Sequence, residues 1–162
     1  MTAKVAIIMG SRSDLEAMDE ARTVLRQFGI EYETRALSAH RTPAAVEEFI
    51  SGLADRGFAA VIAGAGGAAH LAGVCASHTH LPVFGVPMRT TLAGGLDSLL
   101  STVQMPRGIP VATTATGGTG AYNAALLAVS VIALNDPETN KAYIEFRQNQ
   151  TKKVIDQSVV SD

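Results

Sequence analysis

A doubly wound, parallel α/β sheet is the fold class the sequence predicts, and three observations predict it. Short apolar runs recur along the chain, each stops at a loop rich in Gly, Ser, Thr or His, and helical periodicity fills the intervals. The first run, Lys4 to Met9, is apolar on both faces, as a strand buried inside a parallel sheet must be. Gly10-Ser11-Arg12 turns it, and Leu15, Met18, Ala21, Leu25 and Phe28 follow at helical spacing until Gly29, with Ser13 and Glu16 placed as a capping box. The unit then repeats. Glu31 to Leu37 is the second strand, Ser38-Ala39-His40-Arg41 its loop, and Thr42-Pro43 opens a helix with Pro at its first position. Val46, Phe49, Ile50 and Leu53 form that helix's apolar stripe, and Gly57 ends it. Ala59 to Ala63 is the third strand, leading through the small-residue loop 64–69 into a helix over His70 to Ser77. Pro82 to Val86 and Val111 to Thr114 are the fourth and fifth strands, the fifth followed by a Thr/Gly-rich loop ending at Gly120.

Five strands alternating with helices fit a single-domain, flavodoxin-like sheet in three α/β/α layers, with strand order 2-1-3-4-5. Ligands of such sheets bind at the carboxyl ends of the strands, here the loops at 10–14, 38–42, 64–70, 87–95 and 114–120. Ala124 to Leu134 is apolar almost all round, so a helix there is expected to be covered on every side, by core and by another subunit. A more polar helix at about 138–158, after Asp136-Pro137 and anchored by Tyr143 and Phe146, is expected to pack on a neighbouring subunit. The whole chain, 1–162, reads as one domain with its core at about 1–136.

Composition narrows the function classes. With 47% hydrophobic and 17% charged residues in 162, the chain must bury a core and cannot be a solvated, disordered tract. A net charge of −2 offers no basic footprint for a nucleic acid or an anionic membrane. The longest apolar stretch falls well short of the roughly 20 residues that span a bilayer, and the N-terminus shows no signal-peptide pattern, so the expected compartment is cytoplasmic. Cys75 is the single cysteine, cannot form an internal disulfide, and reads as a small core residue.

Each strand-end loop admits a functional and a plain reading. Gly10-Ser11-Arg12-Ser13-Asp14 sets hydroxyls and backbone N–H groups at a helix N-terminus, which suits a phosphate; Ser13 as a simple cap suits the segment equally. Ser38-Ala39-His40-Arg41 pairs an imidazole, which titrates near neutral pH, with a planar guanidinium, against the alternative of a loop or capping His. Gly64-Ala65-Gly66-Gly67-Ala68-Ala69 formally satisfies a dinucleotide fingerprint, but it follows the third strand and lacks the acidic residue about 20 positions on; close approach of a flat ligand to a small-residue loop rimmed by His70 fits better. His78-Thr79-His80 lacks a third ligand at metal-binding spacing, so no metal is expected.

Five blocks in order, GSRSD at 10–14, SAHRTP at 38–43, AGAGGAAHLAG at 63–73, LDSLLSTVQMPRGIPVAT at 96–113 and NAALLA at 123–128, resemble the class I N5-carboxyaminoimidazole ribonucleotide mutases of purine biosynthesis. The resemblance implies a cofactor-free isomerase that moves a carboxylate from the exocyclic nitrogen to carbon 4 of the imidazole, through a CO2 intermediate. It implies the same doubly wound fold, a homo-octamer, and active sites built between subunits. Carried over by position, Ser11 and Arg41 bind the 5′-phosphate with Ser13 and Ser38 nearby, and Asp14 accepts the ribose hydroxyls. Gly66, Gly67, His70 and Leu71 line the base and carboxylate pocket, and His40 is the acid/base. Two loops depart from the family's usual pattern, Pro87-Met88-Arg89-Thr90-Thr91 and Thr114 to Tyr122. Direct carboxylation of aminoimidazole ribonucleotide by CO2, as in the related class II enzymes, and a non-catalytic nucleotide-binding module are the competing expectations.

Overall fold

The computed structural model describes residues 3–160. Five parallel strands, β1 (Lys4–Met9), β2 (Glu31–Ala36), β3 (Phe58–Ala65), β4 (Val83–Pro87) and β5 (Ala112–Thr113), form one sheet in the order β2-β1-β3-β4-β5. This is the predicted doubly wound order. The helices are α1 (Leu15–Gln27), α2 (Pro43–Ser51), α3 (Leu71–His78), α4 (Leu96–Val103), α5 (Gly118–Ala133) and α6 (Pro137–Asp156). The fourth crossover, α4, is the one helix that the sequence pattern left unassigned.

Strand alternation sorts the core into two halves. Val5, Ile7 and Met9 of β1 with Ala60 and Ile62 of β3 face α1 and α5, whereas Ala6, Ile8, Val61 and Ala63 face α2 and α3. Ile7 and Ile8 are both 0% exposed although they are neighbours, so the central strand is buried on both faces. Each such side chain contributes about 1.5–3 kcal/mol of burial. That is why KVAIIM reads as a continuous apolar run.

α5 buries one face within its own chain. Gly120, Ala121, Ala124, Ala125 and Ala128 form a buried small-residue face against α1 and the sheet, letting the backbones approach closely, while Leu127 remains 41% exposed. The helix begins at Gly118, so the expected loop to Gly120 is three residues too long; Gly117 turns the chain at φ +69° and donates its N–H to the Pro87 carbonyl at 2.8 Å. α6 starts at Pro137 and packs its first half on its own chain, with Tyr143 and Phe146 set edge-on against Phe28 at 6.2 and 5.6 Å between ring centroids. Its second half is exposed.

The capping box does not form. Ser11, not Ser13, accepts a backbone N–H, from Ser13 at 3.3 Å, because a 3-10 turn over Arg12–Asp14 precedes α1 and moves the cap back by two residues. Asp14 stands at the N-cap of α1 without a side-chain capping bond. α2 begins at Pro43 as expected but ends at Ser51, with Gly57 (φ +80°) closing the turns that lead to β3.

Both sheet edges are poor templates for a further strand. β2 carries alternating charge: Glu33 pairs with Arg35 at 2.6 Å and with Arg56. Burial pushes the Glu33 carboxyl up, but the two guanidiniums outweigh it and hold the group below its ordinary range. The other edge, β5, is two residues long. Cys75 is 0% exposed on α3, and burial pushes its thiol up to about 12, which makes it a packing residue. No helix among the described residues is long and apolar enough to cross a membrane.

Candidate active site

The carboxyl ends of β1, β2 and β3 lie side by side, and backbone hydrogen bonds hold the first residues of their loops in line: Gly10 N–H to the Gly64 carbonyl and Leu37 N–H to the Met9 carbonyl, both at 2.9 Å. Because β1 sits between β2 and β3, the loop after it is flanked by the two loops that carry histidine. The flanking loops meet over it. His40 Nε2 lies 3.0 Å from His70 Nδ1, with the rings edge to face at 80°. One proton fills that contact, so the tautomer of either ring fixes that of the other.

Arg41, next in sequence, reaches back to the first loop, where its Nη2 donates to the Gly10 carbonyl at 3.2 Å. Its backbone N–H donates to Ser38 Oγ at 3.2 Å, and Thr42 Oγ1 accepts the Ser38 N–H at 2.9 Å, so the SAHRT turn is closed by its own side chains. On the first loop Ser13 Oγ donates to Ser11 Oγ at 2.9 Å and to Asp14 Oδ1 at 3.4 Å. Partial burial pushes the Asp14 carboxyl up from its ordinary value by more than the Ser11 and Ser13 hydrogen bonds pull it down. Ser13, His40, Arg41, Gly66 and His70 are all exposed, which makes the site an open shelf in the isolated chain. A groove of about 470 Å³ runs from His70 between α3 and α4.

The glycine loop is less free than its composition implies. Gly67, at φ +69°, donates its N–H to Ser98 Oγ at 2.9 Å, so this amide is already committed. A Cβ at Gly66 would stand 3.2 Å from Met88 Cβ and 3.5 Å from Thr90 Cγ2, which places the unusual 88–91 loop directly against the small residues. Leu71 is 2% exposed and belongs to the core on the α2–α3 side. Among the residues named from sequence, Ser11, Ser13, Asp14, Ser38, His40, Arg41, Gly66, Gly67 and His70 therefore gather on three adjacent loops, and Leu71 sits beneath them.

Ser98, Ser101, Asp97 and Thr90 were not singled out. Thr90 Oγ1 donates to Asp97 Oδ1 at 2.6 Å and the Ser98 N–H donates to the same oxygen at 2.9 Å. The Thr90 hydroxyl, ahead of the opposing desolvation, holds the Asp97 carboxyl below its ordinary range. An acidic residue in the first turn of α4 is the local signal that could have located this helix. Among the described residues no group of three His, Cys, Asp or Glu is placed to hold a metal ion.

The family model described as AIR carboxylase matches residues 4–153. The chain belongs to the AIR carboxylase family. Within this family, a relative from Pseudomonas aeruginosa named N5-carboxyaminoimidazole ribonucleotide mutase is 49% identical over 156 residues, 96% of each chain. A relative of the same name from Saccharolobus solfataricus is 51% identical over 152 residues, covering 94% of this chain and 95% of its own. The crystal structure of Treponema denticola PurE superposes with a TM-score of 0.85 at 30% identity, over 95% of each chain. The sheet order and the three-loop shelf of this AIR carboxylase family member are thus set in a fold shared along nearly its whole length.

Proposed function

We propose that the chain is an N5-carboxyaminoimidazole ribonucleotide mutase of purine biosynthesis, isomerising its substrate to 4-carboxyaminoimidazole ribonucleotide. The observation that carries the reading is the meeting of His40 and His70 beside the Arg41-bound first loop, in a chain that shares about half its residues with mutases over nearly its full length. Ser11 and Arg41 bind the 5′-phosphate with Ser13 and Ser38 nearby, and Asp14 accepts the ribose hydroxyls. Gly66, Gly67 and His70 wall the base and carboxylate, with Leu71 supporting that wall from below.

In the first step protonated His40 delivers its proton to the exocyclic nitrogen, the carbamate C–N bond breaks with its electron pair going to nitrogen, and CO2 is released. The ring is then an enamine whose carbon 4 is nucleophilic. It attacks the retained CO2, and the proton on carbon 4 passes to neutral His40, restoring the starting acid. Atoms balance, and the only species that must be prevented from escaping is CO2. Small walls serve this by keeping carbon 4 and CO2 in contact and excluding water. When His40 is protonated both its nitrogens donate, so His70 would present Nδ1 as an acceptor and keep its own proton on Nε2.

The open shelf, the apolar row Leu92, Leu96, Leu100 and Val103 along α4 and its approach, and the exposed second half of α6 support a homo-oligomer, which we take to be an octamer with sites completed between subunits. The compartment proposed is the cytoplasm, where small-molecule biosynthesis and a reduced Cys75 are compatible.

The deciding experiment mixes the chain with N5-carboxyaminoimidazole ribonucleotide, without ATP, metal or added bicarbonate, and follows the carbon-carboxylated product. Product faster than in buffer alone is expected. Activity only from aminoimidazole ribonucleotide at high CO2 would make the chain a direct carboxylase instead, and silence in both assays would leave a binding module.

Asp14 offers a test with opposite signs on binding and stability. Its carboxyl is raised in the folded state, so folding loses stability as pH rises through the ordinary aspartate value to the folded one, and the deficit persists at neutral pH. Asp14→Asn is therefore expected to unfold at a higher temperature than the parent at pH 7 but not at pH 3. Its substrate affinity should fall by about tenfold or more, the loss of a hydrogen bond to a charged group. Unchanged affinity in titration calorimetry would remove Asp14 from the ribose site.

A further inference from the structure

We propose that Ser98 and Ser101 of α4 are positioning residues for this reaction: together they clamp the Gly67 backbone, and through it hold His70 against His40 and keep the CO2 wall closed. The proposal rests on the mutase reading above. Its observation is a two-sided grip on one residue's backbone, across the two peptide units that meet at Gly67. Ser98 Oγ accepts the Gly67 N–H at 2.9 Å, and the Ser101 hydroxyl shares its proton between the Asp97 carbonyl of its own helix at 2.7 Å and the Gly67 carbonyl at 3.2 Å. The two serines are three residues apart and thus share one face of α4.

Gly67 needs such a grip. It lies beyond β3 and before α3, at a left-handed φ, and its own turn gives its carbonyl a further partner, Ala69 N–H at 2.8 Å. Three residues on comes His70, whose contact with His40 is a single 3.0 Å hydrogen bond between two exposed rings. A shift of about 1 Å in the glycine loop is enough to break that geometry. Ser98 is itself 0% exposed, so it cannot exchange Gly67 for water without moving, and its helix is tied by Asp97 to Thr90 in the loop that packs on Gly66. The clamp touches neither Ser11 nor Arg41. It therefore acts on the reacting end of the substrate and leaves the phosphate end alone.

The test is Ser98→Ala, with Ser101→Ala as its independent partner, in four readouts: kcat, KM, the fraction of substrate released as aminoimidazole ribonucleotide and CO2, and hydrogen exchange of the Gly67 amide. Loss of the clamp is expected to lower kcat by about fivefold or more in Ser98→Ala, the scale of one buried hydrogen bond, with KM within about twofold. The released fraction should rise and Gly67 exchange should quicken, while Ser101→Ala shifts the same readouts in the same sense. A purely structural serine would lower the unfolding temperature without changing how much substrate escapes as CO2. Parental kcat and released fraction in a folded Ser98→Ala overturn the proposal, as does a rise in KM at unchanged kcat. Should Ser98→Ala fail to fold, parental values in Ser101→Ala overturn it alone. Absence of mutase activity in the parent chain is a different result, because it removes the function and not the clamp.

Discussion

His40→Asn is expected to abolish turnover while leaving nucleotide binding in place. A positioned acid/base contributes about 10²–10⁴ in rate, and asparagine keeps a hydrogen-bonding side chain at that place while removing a group that can give up a proton and take one back. The phosphate and ribose contacts proposed for Ser11, Arg41 and Asp14 come from other side chains, so the dissociation constant for the product should move by less than about threefold, under one hydrogen bond's worth. Steady-state rates combined with titration calorimetry separate the two effects. Retained turnover would pass the proton-transfer role to His70, whose Nδ1 lies 3.0 Å from His40 Nε2. The His70 contact also predicts that the variant changes the environment of the second ring, which an NMR titration of the remaining imidazoles reads directly.

Gly120→Ala is the substitution expected to damage the fold most. A Cβ on Gly120 would overlap the Ala115 carbonyl oxygen and stand 2.7 Å from its carbon. No rotamer relieves that contact, because both partners are fixed by backbone: Gly120 lies in the first turn of α5, and Ala115 lies in the short connection from β5. Either the loop must move or the helix must lift from α1, and its buried face runs on through Ala121, Ala124 and Ala125. A cost of about 3 kcal/mol or more is expected, overpacking at its severe end, with a fall of roughly 6–12 °C in the unfolding temperature of a chain this size. Thermal unfolding of the variant at neutral pH measures it. A change below about 2 °C would mean that the Ala115 peptide rotates away at almost no cost.

Much of this architecture was legible because burial leaves a signature in neighbouring residues. Ile7 and Ile8 had to face opposite layers, so KVAIIM identified a central strand, and Thr42-Pro43 announced α2 by a local backbone rule. What escaped was set by contacts distant in sequence. Gly67 and Ser98 are 31 positions apart, and nothing in either segment states that one hydroxyl will hold the other's amide. The capping box failed for a local reason: a 3-10 turn over Arg12–Asp14 put Ser11 in the capping place that Ser13 was expected to take. For the shelf, residue types named the loops, but only the strand order β2-β1-β3 brings His40 across the first loop to His70. The apolar character of α5 announced burial, but not that its inner face would be a stripe of Gly and Ala, whose value there is small size.

The two edges of the sheet have a consequence for how copies of this chain gather. A charged β2 and a two-residue β5 deny an incoming strand its ladder, so end-to-end growth of the sheet into fibres is closed at both sides. In the homo-oligomer proposed above, contact between copies would fall to helix surfaces, whose apolar rows are finite and become used up once paired. Concentrating the chain should then fill discrete particles of fixed size in place of open-ended polymer.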